Sequence, residues 1–298
     1  MAFARIVCGT DFSADAAHAL RRAAALAAEH GANLEVLHVV SAPSLEALRQ
    51  WVREPMDLPE RLVEASRDEL QQMTAQAARE TGARIAPRVA LGDVSDGLLA
   101  AASSADLVVL GAHGMNPLKD AMLGTTAERI AGRSTRPLLV VRTAPRQGYR
   151  NILVALDLLP GSDAALRSAL EIAAAGTLTA LHAFDVPFEG LLKRAGVSEA
   201  SIDEHRARAY GESVERIAEL SRALTGDADR FLPFSERGDA AATIVRRQRS
   251  MRADLVIMLK RARSLGESLL LGSVTRHVLG DVACDVLLVP EATPGPAA

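Results

Sequence analysis

Aromatic side chains are scarce: Phe, Trp and Tyr make up 3% of the 298 residues. A core without rings has to be filled by Ala, Leu, Val and Ile. That suits helices packed on a parallel sheet, whose doubly buried strands are aliphatic runs. Cysteine is nearly absent. Cys8 and Cys284 stand far apart and match no metal-ligand spacing, and Cys8, inside an apolar strand pattern, reads as the buried reduced thiol of a cytoplasmic protein. An excess of one charge is missing too: the formal net charge of −3 gives no electrostatic argument for nucleic acid or an anionic membrane. No apolar run approaches the roughly 20 residues that span a bilayer. The opening MAFARIVCGTDFS lacks the apolar stretch of a secretion signal. We therefore expect a soluble, cytoplasmic chain with neither nucleic acid nor membrane as partner.

What is present is aliphatic and repeated. Hydrophobic residues reach 49% and charged residues 24%, enough for ordinary globular cores. The length is about twice that of a typical domain of roughly 100–150 residues. Laying the second half over the first shows one unit used twice. Arg5–Asp11 (RIVCGTD) matches Asn151–Asp157 (NILVALD), and Leu37–Val40 (LHVV) matches Leu181–Phe184 (LHAF). Gly92-Asp93 matches Gly238-Asp239, Asp106–Leu110 matches Asp254–Met258, and Leu123–Thr125 matches Leu271–Ser273. Pro137–Arg142 (PLLVVR) matches Asp285–Pro290 (DVLLVP). The offset drifts by only a few residues, and so long a period means duplicated domains, since solenoid repeats are far shorter.

Within the first unit strand and helix patterns alternate. Strands are expected at about 4–9, 34–40, 84–90, 106–110 and 137–142, and helices from Ser13 to about His30, then at 59–81, 94–104 and 125–133. Pro55 and Pro59 interrupt the chain before the second helix, and Gly31 and Gly82 stand where two helices should end. The fold class is α/β, with two tandem open-sheet domains at 1–143 and 150–290, each a parallel sheet with helices on both faces. Thr143–Arg150 is the linker, and the Pro- and Gly-rich tail after Val289 is expected to be disordered.

The chemistry concentrates in Leu110–Thr126, LGAHGMNPLKDAMLGTT, which leaves one strand and enters a helix. Its glycines fall as Gly111-x-x-Gly114, then nine residues, then Gly124-Thr125. Glycine lets the backbone approach a ligand closely or take positive φ, and successive N–H groups in such a turn make an anion site. The N-terminus of the following helix favours phosphate. The same residues also fit a purely structural role: Thr125-x-x-Glu128 is a capping box, and the first two glycines could shape a tight turn. Neither GxxxxGK[ST] nor a GxGxxG after the first strand occurs. Asp11 ends the first strand, where ligands bind in open α/β sheets. It could accept hydrogen bonds from ribose hydroxyls or a base amino group, or serve as a local turn aspartate.

With TDFS after the first strand, LHVV in the second, DLVVLGAHG running into LGTT and a closing aliphatic strand, nearly the whole chain resembles the tandem universal stress proteins. The G-x-x-G-x9-G-[ST] spacing is that family's ATP-binding signature. The resemblance implies five-stranded sheets of order 3-2-1-4-5 with ATP in the crevice, and Mg²⁺ or Mn²⁺ on its phosphates. By position Asp11 would meet the adenosine, Thr10 would line its pocket and Val39 would pack on adenine. Gly111, His113, Gly114, Gly124, Thr125 and Thr126 would surround the phosphates. Domains of this family commonly pair through their last strands. A tandem chain could satisfy that pairing internally through Leu138–Val141 and Val286–Val289, with further pairing into a homodimer left open.

The second repeat departs from the pattern. Leu259 and Ala262 replace the first two glycines, and only Gly272-Ser273 is kept, so no ATP site is expected there. Lys260, Arg261 and Arg263 form either a solvated loop or an anion site made of side chains. Arg237-Gly238-Asp239 spells an adhesion tripeptide by coincidence, and His38 and His182, at equivalent strand positions, are expected to be structural. Three functions fit: an ATP-binding stress-response regulator that acts by occupancy on an unknown protein partner, a slow ATPase, or an ATP-independent adaptor or carrier of a small apolar ligand. For the ATPase His113 could orient water, Lys119 could offset charge, and Asp120 is the loop's one candidate base. The leucines of 191–196 and 265–271 would suit the carrier. Phosphoryl transfer needs positioned charge and a positioned nucleophile, and this set is sparse. No catalytic residue or protein metal ligand is assigned.

Overall fold

Local side chains and glycines start and stop the elements. The computed structural model describes residues 3–42, 46, 58–115, 123–145, 147–173, 175–184, 191, 194–261 and 271–291. β1 (Arg5–Thr10) is buried apart from Arg5. Ser13 Oγ then accepts the Ala16 N–H and caps α1 (Ala14–His30), which Gly31 closes at φ 66°. β2 (Asn33–Ser41), α2 (Leu58–Thr81) and β3 (Arg84–Gly92) follow, with Gly82 at φ 74° after α2. Gly92, at φ 150°, hands the chain to Asp93, whose side chain accepts from Asp96 N at the start of α3 (Val94–Ala102). β4 (Leu107–Gly111), α4 (Thr125–Arg133) and β5 (Leu138–Val141) complete the first repeat.

The second repeat runs β6 (Asn151–Leu156), α5 (Asp163–Ile172), β7 (Thr177–Phe184), α6 (Glu199–Thr225) and β8 (Phe231–Arg237), then α7 (Ala240–Met251), β9 (Leu255–Lys260), α8 (Ser273–Asp281) and β10 (Asp285–Pro290). Its Gly238-Asp239 repeats the earlier device, with φ 144° at the glycine and Asp239 accepting from Ala242 N. That accounts structurally for the Arg-Gly-Asp triplet. Pro55 and the tail beyond Glu291 lie outside the described residues.

By their contacts the described residues fall into two units, one of Met1–Gly148 with Ala283–Pro290, the other including Tyr149–Arg261 and Gly272–Val282. The first unit holds a sheet of order β3-β2-β1-β4-β5-β10, parallel through β5 and antiparallel at β10. The second has β9-β6-β7-β8, all parallel. The expected order 3-2-1-4-5 is therefore present in the first repeat. The last strand of the second repeat packs into the first unit, with Val286, Leu287 and Leu288 opposite Val140, Leu139 and Leu138. This is the internal meeting of final strands that the family resemblance implies.

Proline marks the outer strands. Pro87 in β3 and Pro233 in β8 stand at equivalent places in the repeats, and a residue without an N–H belongs on a strand bonded along one side. Aspartates fix the centre: Asp106 Oδ2 accepts from Ala4 N and Arg5 N, both at 2.9 Å. Asp254 does the same for Arg150 N at 2.8 Å and Asn151 N at 3.1 Å. Each carboxylate ties the start of a central strand to its neighbour. The core is aliphatic, with Ile6, Leu34, Leu107, Ile152 and Leu153 each 1% exposed or less. Cys8 is wholly buried, and burial pushes its thiol up to about 12.

Candidate functional site

Both repeats leave their first strand through the same backbone turn. The residue after the aspartate is left-handed, Phe12 at φ 65° and Leu158 at φ 57°, a conformation costing a non-glycine residue roughly 1–2 kcal/mol. Hydrogen bonds hold it. Asp11 Oδ1 accepts Ser13 N at 3.1 Å, and Asp157 Oδ1 accepts Leu159 N at 3.2 Å. His38 Nδ1 lies 2.9 Å from the Thr10 carbonyl and His182 Nδ1 2.9 Å from that of Leu156. A carbonyl only accepts, so both rings carry their proton on Nδ1. Phe12 packs on His38 with ring centroids 4.4 Å apart. The two histidines are structural, as their strand positions imply.

In the first repeat this turn meets the glycine loop. Asp11 Oδ2 accepts the Met115 N–H at 3.0 Å, so the carboxylate at the end of β1 ties down the chain leaving β4. Asp15, in the first turn of α1, takes both the N–H and Nδ1 of His113 on Oδ2, at 3.1 and 2.9 Å. Nε2 of His113 is buried and has no protein partner among the described residues. Gly124 N donates to Ala112 O at 2.7 Å, so the two ends of the loop close on each other. Thr10 is 7% exposed, with its hydroxyl accepting from Phe12 N at 3.1 Å. Val39 is 7% exposed and packed under α3, where a Cβ on Gly97 would come within 3.0 Å of it.

The signature glycines allow close approach, and none of them has positive φ. A Cβ on Gly111 would lie 2.8–2.9 Å from the backbone of Asp15 and Ala16, so bare backbone lets α1 cross the end of β4. A Cβ on Gly114 would sit 2.8 Å from Asp11 Oδ2, and one on Gly124 3.2 Å from Ala112 O. The capping-box reading of Thr125 gives way as well. Gly124 is the N-cap and has no side chain to cap with, and Thr125 and Thr126 are the first two residues of the helix. The early N–H groups of a helix have no intrahelical acceptor, so this end offers donors beside the loop. Lys119, Asp120 and the rest of 116–122 lie outside the described residues.

The second repeat fills the equivalent place from within. Arg261 forks onto Asp157, with Nε to Oδ2 at 2.7 Å and Nη2 to Oδ1 at 2.6 Å. Its Nη1 donates to Pro160 O at 2.7 Å and Glu291 Oε1 at 2.6 Å. Arg261, partly exposed, is therefore engaged by acceptors of its own chain. Burial would raise the Asp157 carboxyl, but hydrogen bonds from Arg261, Ser162 and Leu159 N outweigh it and hold it below the usual carboxylate range. Burial lowers the neighbouring Lys260. Arg263 and residues 192–193 and 265–270, named for an anion site or an apolar pocket, lie outside the described residues.

Two contacts escaped the sequence reading, that of Asp15 with His113 and that of Arg261 with Asp157. Asp15 looks like any acidic residue in a first helical turn, and nothing local announces its bond to His113. Arg261 and Asp157 could have been paired by noting opposite charges at the same end of two neighbouring strands. Among the described residues no group of three or more His, Cys, Asp or Glu is placed to hold a metal ion, and no helix is long and apolar enough to cross a membrane.

Comparison with known proteins agrees with the repeat. The model of the universal stress protein family matches residues 2–142 and again 148–290. A universal stress protein of Mycolicibacterium smegmatis is 26% identical over 305 aligned residues, spanning 95% of this chain and 96% of its own. One from Bacillus subtilis is 29% identical over 47% of this chain and 99% of its own. The crystal structure of a universal stress protein from Archaeoglobus fulgidus covers 97% of this chain and 98% of its own with a TM-score of 0.70, at 16% identity, a likeness of fold. The chain belongs to the universal stress protein family and carries two copies of the family's domain in tandem.

Proposed function

We propose that this protein binds one ATP, with Mg²⁺ or Mn²⁺, in its first repeat and acts as a stress-response regulator through nucleotide occupancy and interaction with another protein. The observation that carries the reading is the contrast between the repeats. Asp157 is clamped by a guanidinium, whereas Asp11 accepts two backbone N–H groups and keeps about half of a carboxylate's roughly four acceptor positions. The surrounding groups suit a nucleotide. His113 Nε2 is a buried polar atom without a protein partner among the described residues, and the N-cap of α4 is Gly124, which has no side chain to occupy the helix end. Asp11 would take the ribose, with Thr10 and Val39 beside the adenosine. Gly111, His113, Gly114, Gly124, Thr125 and Thr126 would hold the phosphates. Mg²⁺ in such sites is carried largely by phosphate oxygens and water, so a cluster of protein ligands is not required.

Slow hydrolysis is a second reading, favoured by one contact: Asp15 orients His113 and leaves Nε2 as the ring's available nitrogen. Mass spectrometry of ligand released from freshly purified protein, followed by a hydrolysis assay, separates the possibilities. Released ATP with turnover far below the roughly 10 s⁻¹ of a median enzyme supports occupancy. Fast turnover supports the enzyme. No nucleotide, and none taken up on addition, leaves the adaptor or carrier.

A further inference from the structure

The pairing of β5 with β10 is centred on counterparts. Leu139 faces Leu287, and PLLVVR against DVLLVP makes these the same position of the repeat. The paired residues Leu138–Val140 and Val286–Leu288 are aliphatic and 2% exposed or less. Their packing would serve β5 on β5, or β10 on β10, equally well. The feature that differs between the two strands is the set of polar and charged residues at one end.

Asp285, at the start of β10, is 0% exposed. Its Oδ1 accepts from Arg142 N at 2.9 Å, Thr143 N at 3.3 Å and Thr143 Oγ1 at 3.4 Å. Its Oδ2 lies 3.4 Å from Nε of Arg22, an α1 residue 5% exposed that also donates to Gln147 O at 2.8 Å. Burial lowers the pKa of the Arg142 guanidinium, and Cys284, Asp15 and Asp285 counter it. None of these groups recurs in the other repeat. Asp285 has Pro137 as its counterpart, Arg22 has Ser168, Arg142 has Pro290 and Thr143 has Glu291. The carboxylate belongs only to the second repeat and its donors only to the first.

We propose that the buried pair of Asp285 and Arg22, with the backbone N–H groups of Arg142 and Thr143, forms a code that admits β10 to β5 and rejects homotypic pairing of either strand with a second copy of the chain. In a β10·β10 pair, Asp285 would meet Pro290, which has no N–H to give, Glu291 of its own sign, and Ser168 in place of Arg22. In a β5·β5 pair, Arg22 and the N–H groups of Arg142 and Thr143 would meet Pro137 and no carboxylate. A buried charge stripped of its partner is strongly destabilising, while a satisfied pair adds little over apolar packing. Such a pair acts mainly by excluding the wrong partner.

The test uses the full chain with a cysteine at the centre of the pair. Leu287→Cys reports β10·β10 contact, and Leu139→Cys reports β5·β5 contact, each read as an interchain disulfide between identical positions by peptide mapping after mild oxidation. Asp285→Asn keeps the shape and the oxygen that accepts Arg142 N while removing the charge. Added to Leu287→Cys, it should raise the interchain link at least about tenfold over Leu287→Cys alone. Arg22→Met added to Leu139→Cys should do the same for the other strand. Unchanged yields in either folded variant would overturn the proposal. Loss of the folded state in both variants with no interchain link would also overturn it, since the residues would then be merely structural.

Discussion

Arg261→Met should destabilise the second unit by about 1–2 kcal/mol at neutral pH. Four hydrogen bonds end on this guanidinium, two of them on Asp157 at 2.6–2.7 Å. Hydrogen bonds to charged groups are worth roughly 1.5–3 kcal/mol each when shielded. Here the arginine side chain is 25% and the Asp157 side chain 38% exposed, and exposed ion pairs fall to roughly 0–1 kcal/mol. Methionine keeps most of the apolar stem, so the loss is one of charge. Hydrogen exchange of β6 and β9 amides reads this unit apart from the first, and protection there should drop about 5- to 30-fold. The pH dependence follows from the sign of the Asp157 shift. Its folded pKa lies below its ordinary value of 3.8, so its contribution is present above that value and lost as pH falls through the lower, folded one. The gap between native and variant should narrow below pH 3.8. Equal protection at neutral pH, or a gap unchanged in strong acid, would refute the role given to this pair.

Other expectations rest on separate contacts. Gly111→Ala should cost about 1–3 kcal/mol in thermal stability even without ligand, because its Cβ would strike backbone at 2.8–2.9 Å. Gly124→Ala, where the nearest atom is at 3.2 Å, should cost less, and the reverse order in melting experiments would discredit the packing role of Gly111. Cys8 should resist thiol reagents near neutral pH until the protein unfolds, since burial holds its thiol near 12. Rapid native labelling of that residue would contradict its burial. Saturating ATP should slow exchange at 111–115 and 123–126, and identical exchange with and without it would count against ordering by occupancy.

The order of elements was legible because it is written locally. Ser13, Gly31 and Gly82 mark helix ends, and the strands DLVVL and DLVIM are read as buried without any tertiary knowledge. The duplication was legible because landmarks recur in order. Two local features of the site needed the structure. A glycine signature shows where the chain lacks a side chain but not what presses against it, so the approach of α1 to Gly111 could not be read from the spacing. Thr125 was read as a possible cap because capping boxes are short patterns, whereas Gly124 ends the loop by bonding to Ala112. The fork of Arg261 on Asp157 and the contacts of Asp285 join residues more than 100 positions apart. No window of sequence contains them.

Calorimetric titration of the full-length protein with ATP and Mg²⁺ tests most directly whether the first repeat alone holds nucleotide. We expect one site per chain. Asp11→Ala should weaken it by about 1–3 kcal/mol, roughly 5- to 150-fold, and Asp157→Ala should leave it unchanged, because Asp157 already serves Arg261. Two equivalent sites, no binding at all, or an affinity lost with Asp157→Ala and kept with Asp11→Ala would contradict this assignment.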